Sequence, residues 1–130
     1  MDIKEAVSEI LSGDLSRPLV QDQLHAWATR CGVRPSELYN ELLVEVSRRF
    51  LREDLTFDDA DALANDVWVS ITSDLVDLGD AFEMPEPAFS IYEAFDAGEY
   101  PHGDGRDPVD SYTRPELRRI MGQTGRGRAR

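Results

Sequence analysis

The sequence predicts an all-α protein: a single compact domain of five or six helices over residues 1–121, bundled without being a coiled coil, with a disordered basic C-terminal tail over 122–130. Three observations carry that expectation. Apolar residues recur at spacings of three and four along most of the chain, the period that lays one stripe down a helix. Gly and Pro fall between those stripes, where helices start and stop. The one run rich in β-branched residues, Val67 to Ile71, lies inside a longer helical period, so no strand is expected. At 130 residues the chain is long enough to bury an ordinary core without disulfides.

The first stripe is Ile3, Ala6, Val7, Ile10 and Leu11, closed by Ser12-Gly13. Ser16 is positioned to cap the next helix, with Pro18 in its first turn, where a missing N–H does no harm. Leu19, Leu24, Trp27, Ala28 and Cys31 then run to a stop at Gly32. Pro35 and Ser36 restart the chain, and Leu38, Leu42, Val46 and Phe50, with Tyr39, Leu43 and Leu51, predict a third helix to about Glu53. Thr56 and Asp59 resemble a capping box. Beyond them Phe57, Ala60, Leu63, Ala64, Val67, Trp68, Ile71, Leu75 and Leu78 make the longest helical period in the chain, ended by Gly79. Pro85 and Pro87 break the pattern, and Phe89, Ile91, Tyr92 and Phe95 form a shorter aromatic helix up to Gly98. After a Gly/Pro-rich acidic loop, Thr113, Pro115 and Glu116 spell a capping-box start for a helix through Leu117, Ile120 and Met121.

Charge is divided sharply along the chain, whose net charge is -12. Residues 1–53 balance nine acids against seven bases, residues 54–110 set sixteen acids against Arg106, and residues 111–130 set six arginines against Glu116. An asymmetry of this kind speaks of partners more than of fold. So negative a middle repels phosphate backbones and anionic membranes and attracts basic proteins or cations. No stretch approaches the roughly 18 consecutive apolar residues of a membrane span. MDIKEAVSEILSGD lacks the basic start and apolar run of a signal peptide, and a lone Cys31 permits no intrachain disulfide, so a cytoplasmic location is expected.

Chemistry-bearing patterns are sparse. In the loop 96–110, Asp96, Glu99, His102, Asp104, Asp107 and Asp110 crowd together, but neither an EF-hand spacing nor a zinc ligand set appears. The residues that would contribute to a metal site are Glu99, His102 and Asp104; the primary expectation is no metal and no cofactor. No nucleophile motif or phosphate-cradling glycine loop is present, and no residue is assigned a catalytic role. Asp59, Asp66 and Asp77 fall near one face of the long helix, with Asp61 beside Asn65, an arrangement that raises carboxyl pKa values by mutual repulsion. LVQDQLHAWATRCGVRPSELYNELL resembles the helix-turn-helix pattern of DNA-binding proteins, with Ala28 between helices, Gly32 in the turn, and Leu38 and Leu42 turned inward. Glu37, Glu41 and Glu45 place the wrong charge on that second helix, so nucleic acid is not the expected partner.

Trp27, Trp68, Phe57, Phe89, Tyr92 and Phe95 fall on core stripes, whereas Phe82, Tyr100 and Tyr112 fall in connections. The leading expectation is a non-enzymatic binding or regulatory protein whose acidic segment 54–110 engages a basic protein through Glu99, Tyr100, Asp104, Asp107, Asp110, Tyr112 and Phe82. Its composition is similar, in charge alone, to that of nuclease immunity proteins and of proteins that mimic DNA. Two alternatives stand beside it: a metal-dependent activity at the loop 96–110, and a helix-turn-helix-like regulator. Apolar stripes serve dimers and monomer cores alike, so the sequence sets no oligomeric state.

Overall fold

Each stripe of the sequence becomes a helix. A computed structural model describes the backbone of residues 1–128 and the side chains of residues 1–123. In it α1 (Ile3–Leu11), α2 (Gln21–Cys31), α3 (Pro35–Leu51), α4 (Phe57–Leu78), α5 (Ala88–Ala97) and α6 (Arg114–Arg128) make a six-helix domain with no strand among the described residues. A 3-10 turn, Gly79–Ala81, follows α4, and a five-residue π turn, Val109–Thr113, leads into α6. The tail expected over 122–130 lies outside the described residues for its side chains beyond Gln123 and entirely for residues 129 and 130.

The axis of the fold is α3, which packs against α1, α2, α4, α5 and α6. Its stripe is so wide that Leu38, Tyr39, Leu42, Leu43, Val46 and Phe50 are all buried and Glu37 is its only exposed residue. Burying each such side chain contributes about 1.5–3 kcal/mol. Phe50 meets Phe95 of α5 edge-on at 5.5 Å and Phe57 of α4 at 6.1 Å, and the Arg114 guanidinium lies 4.4 Å over its ring. Phe50 thus ties α3 to α4, α5 and the start of α6.

The turns show which local signals the chain obeys. Thr56 does cap α4, its Oγ1 accepting the Asp59 N–H at 3.1 Å. Gly32 ends α2 with φ 68°, where a Cβ would be strained, and the Val33 N–H closes back on the Ala28 carbonyl at 3.1 Å. Ala28, Leu38 and Leu42 are buried around that turn. Two expected starts are corrected. Ser16 does not cap α2: its N–H and hydroxyl both go to Asp14 Oδ1, at 3.0 and 2.6 Å, and the helix starts at Gln21, after Val20. Nor does Thr113 cap α6. Helical backbone already begins at Pro108, behind Asp107, whose carboxylate accepts the Asp110 N–H at 2.9 Å. Thr113 is buried and donates to the Ala94 carbonyl at 2.7 Å, tying the π turn to α5.

One buried acid organises the opposite end of the bundle. Asp74 of α4 is 7% exposed and accepts from Tyr39 of α3 at 2.7 Å and from Gln21 of α2 at 2.6 Å. Burial first, then the hydrogen bond to Asp74 and its charge, raise the pKa of the Tyr39 phenol.

Candidate functional site

The long helix α4 is expected to bury one stripe, and it does, through Ala60, Leu63, Ala64, Val67 and Ile71. A second stripe faces outward. At 100° per residue, Asp61, Asn65, Trp68, Val69, Thr72 and Val76 share one side of the helix over a rise of about 22 Å. Val69 is 63% exposed and Val76 is 81% exposed. Leu75 and Leu78, expected inside, are exposed too.

Three aromatic residues expected in the core build a ledge beside this stripe. Trp68 stacks on Tyr92 of α5 at 4.6 Å with the planes 10° apart, and on Phe89 at 5.4 Å. All three rings are half-buried, so the stack seals the α4–α5 seam while leaving ring surface to solvent. Phe95, one turn from Tyr92, is fully buried as expected.

Acids surround the upper end of that ledge. Glu99 lies just past α5, where Asn65 donates to its Oε2 at 3.4 Å. Asp61 lies within electrostatic reach of Glu99, and its Oδ1 is sealed from solvent without a hydrogen-bond partner among the described residues. Burial first, then Glu99, Asp96 and Asp58, push the Asp61 pKa up to about 7. Desolvation, followed by Asp96, Glu99, Asp61 and Glu93, raises the neighbouring Tyr92 phenol. Of the sixteen acids in 54–110, Asp54 pairs with Arg52, Asp74 with His25 and Asp110 with Arg114; the other thirteen make no ion pair among the described residues.

The residues singled out for partner binding do not form one patch. Glu99 joins the α4–α5 face. Tyr100 and Tyr112 sandwich His102, with ring centroids 4.7 and 3.8 Å away. Asp104 accepts from the Tyr112 hydroxyl and from the Arg106 N–H, and the Tyr112 bond first, then the Arg106 N–H, hold its pKa below the usual carboxylate value. Asp107 closes the turn into Pro108, and Asp110 pairs with Arg114 at 3.1 Å. Phe82 stands apart, in a cleft beside the end of α4. Of the residues named for a metal, His102 Nε2 lies 2.8 Å from the Ala97 carbonyl, Asp104 is engaged by Tyr112, and Glu99 faces Asp61. Among the described residues no group of three or more His, Cys, Asp and Glu could hold a metal ion. Asp59, Asp66 and Asp77 share one side of α4 but sit on separate turns, seven and eleven residues apart. Asp66 Oδ2 accepts the Leu19 N–H at 2.9 Å, and Asp77 accepts from Gln21 at 3.2 Å.

Sequence reasoning overlooked Trp68, Phe89, Tyr92, Val69 and Val76 as surface. The signal was present in α4, which carries apolar residues on more than half of its circumference, wider than one buried face requires. Comparison with known proteins adds no second source of assignment: no protein family, no curated protein and no solved structure matches the chain. No helix among the described residues is long and apolar enough to cross a membrane.

Proposed function

We propose that the protein is a non-enzymatic binding module that docks a basic protein on the α4–α5 face, with Trp68, Tyr92, Val69 and Val76 at the centre and Asp61, Glu93, Asp96 and Glu99 at the rim. The observation that carries the reading is the pair of exposed valines on the outward side of α4, Val69 and Val76, beside the half-buried Trp68 ring and near acids that make no ion pair among the described residues. An apolar centre with aromatic anchors and a charged rim is the composition of a protein interface. The unpaired acids supply long-range attraction, which speeds encounter with a basic surface and makes it sensitive to salt. Tyr100, reached through Glu99, extends the face toward the loop; Asp104, Asp107, Asp110 and Tyr112 hold that loop in shape.

Two features favour this reading over the alternatives. α3, the second helix of the helix-turn-helix-like pair, packs against five other helices, and the first half of its remaining surface carries Glu37, Glu41 and Glu45, the wrong charge for a DNA groove. The three residues named for a metal each serve a separate neighbour. Hydrogen exchange on the chain, alone and after capture of its basic partner, tests the proposal. Slowed exchange over residues 61–76 and 89–100 supports it; slowed exchange confined to α1 and α2 overturns it.

A further inference from the structure

A concavity with different chemistry lies on the far side of α4. Asp74, Asp77 and Leu78 leave the helix on the side opposite the outward stripe, toward α2, the start of α3 and residues 81–85. The hollow has a volume of 340 Å³, enough for a small ring or a long amino-acid side chain. Its walls are largely apolar, with Pro35, Leu78, Ala81, Pro85 and the rings of Phe82 and Tyr39.

Its free polar atoms are mostly acceptors. Asp74, the buried floor, takes hydrogens from Tyr39 and Gln21, and His25 Nε2 stands 2.8 Å from the same Oδ1 that Gln21 meets. A carboxylate only accepts, so it holds a hydrogen on His25 Nε2, and the His25 side chain is 40% exposed. Tyr39, which gives its hydrogen to Asp74 and is 1% exposed, closes the floor. Asp77 and Glu83 add carboxylates at the lining, and Glu83 makes no ion pair among the described residues. The one lining cation, Arg34, is paired with Glu37 at 3.3 Å.

The carboxylates of Asp77 and Glu83, set beside apolar walls and the Phe82 ring, complement a hydrogen-rich cation on an apolar stem. The geometry points to a binding site for an organic amidinium, guanidinium or alkylammonium group in this cleft, presented by a free small molecule or by an arginine or lysine side chain of a protein. The site uses none of the residues of the α4–α5 face and stands whether or not that face docks a partner.

Titration of the isotope-labelled full chain with benzamidine, neutral benzamide and doubly capped arginine, followed by amide NMR, tests it. Benzamidine is expected to saturate with a Kd of about 1 mM or tighter. The shifts should centre on residues 34–39 and 74–83, with benzamide about tenfold weaker. Asp77→Asn with Glu83→Gln, both exposed positions that leave the Asp74 hydrogen bonds in place, should weaken benzamidine about fivefold or more without altering the spectrum elsewhere. Capped arginine binding as well as benzamidine identifies a protein side chain as the source; benzamidine binding alone identifies a free small cation. No saturation, equal binding of benzamide, or shifts confined to residues 61–72 and 89–100 overturns the inference; the first two results leave the docking proposal untouched, and the third places the cation on the α4–α5 face instead.

Discussion

Trp68 and Tyr92 lie face to face across the α4–α5 seam, ring centroids 4.6 Å apart and planes 10° from parallel. Such a stack has two consequences at once. It fastens two helices, and it presents a flat apolar surface that the acids of 58–61 and 93–99 border. Replacing Trp68 therefore disturbs both stability and binding and cannot separate them. Val76 separates them, since it is 81% exposed and shares the stripe. Val76→Gln should change stability by less than about 0.5 kcal/mol in urea denaturation while weakening capture of the basic partner by about tenfold, the loss of one apolar contact at an interface centre.

Asp61 makes the chain sensitive to pH, with a definite sign. An unfolded aspartate titrates near pH 3.9, whereas burial and the facing carboxylates Glu99, Asp96 and Asp58 bring Asp61 to about 7 in the fold. Between those values the folded state holds a proton that the unfolded state has lost, so its stability falls as pH rises from about 4 to about 7. Asp61→Asn should be more stable than the parent at pH 8, on the order of 1 kcal/mol because solvent reaches part of the site, with the gap closing toward pH 4. Thermal melts at the two pH values check this. A basic side chain docking beside Asp61 expels the same proton, so partner affinity should rise from pH 6 to pH 8.

Gly98 reads in sequence as a helix stop, but packing constrains it further. A methyl group there would fall within contact distance of Thr113 Oγ1 and 2.9 Å from the Phe57 ring. Thr113 cannot yield cheaply, because its hydroxyl is committed to the Ala94 carbonyl. Gly98→Ala should cost about 1–3 kcal/mol, the usual range for overpacking. Ala in place of the open Gly122, which has nothing within 4 Å of a Cβ, should not lower stability.

The hydroxyl of Tyr39 is the donor from α3 to a buried carboxylate. Tyr39→Phe keeps the ring and removes that hydrogen, so the expected loss is about 2 kcal/mol, the usual contribution of a hydrogen bond to a charged group. Urea titration at pH 7 measures it.

The fold was largely legible because period and punctuation agree. Gly32, Thr56 and Gly79 each sit where a helix must turn, start or stop, and the structure uses them so. Boundaries failed where a polar residue had a competing partner: Ser16 prefers Asp14, and Thr113 is drawn to Ala94. The site was legible only in part. The excess charge of 54–110 could be read from the chain, as could the placing of Asp61 beside Asn65 on one helix face; that Asn65 donates to Glu99 could not. The aromatic ledge could not, because Trp68, Phe89 and Tyr92 keep helical spacing with residues that are buried. Periodicity reports which residues share a face, and only tertiary packing decides which of two apolar faces stays outside.

The central claim, that the α4–α5 face docks a basic protein, is tested most directly by charge-matched variants in a salt-stepped capture experiment. One variant carries Asp61→Asn, Asp96→Asn and Glu99→Gln; the control carries Asp2→Asn, Glu5→Gln and Glu9→Gln, three exposed sites at the α1 end. At pH 8 and above, where Asp61 is largely ionised, both remove nearly the same charge. The account predicts that parent and control retain the same basic protein to moderate salt while the face variant releases it at low salt. Equal retention by both variants, or release governed by total charge alone, would contradict it.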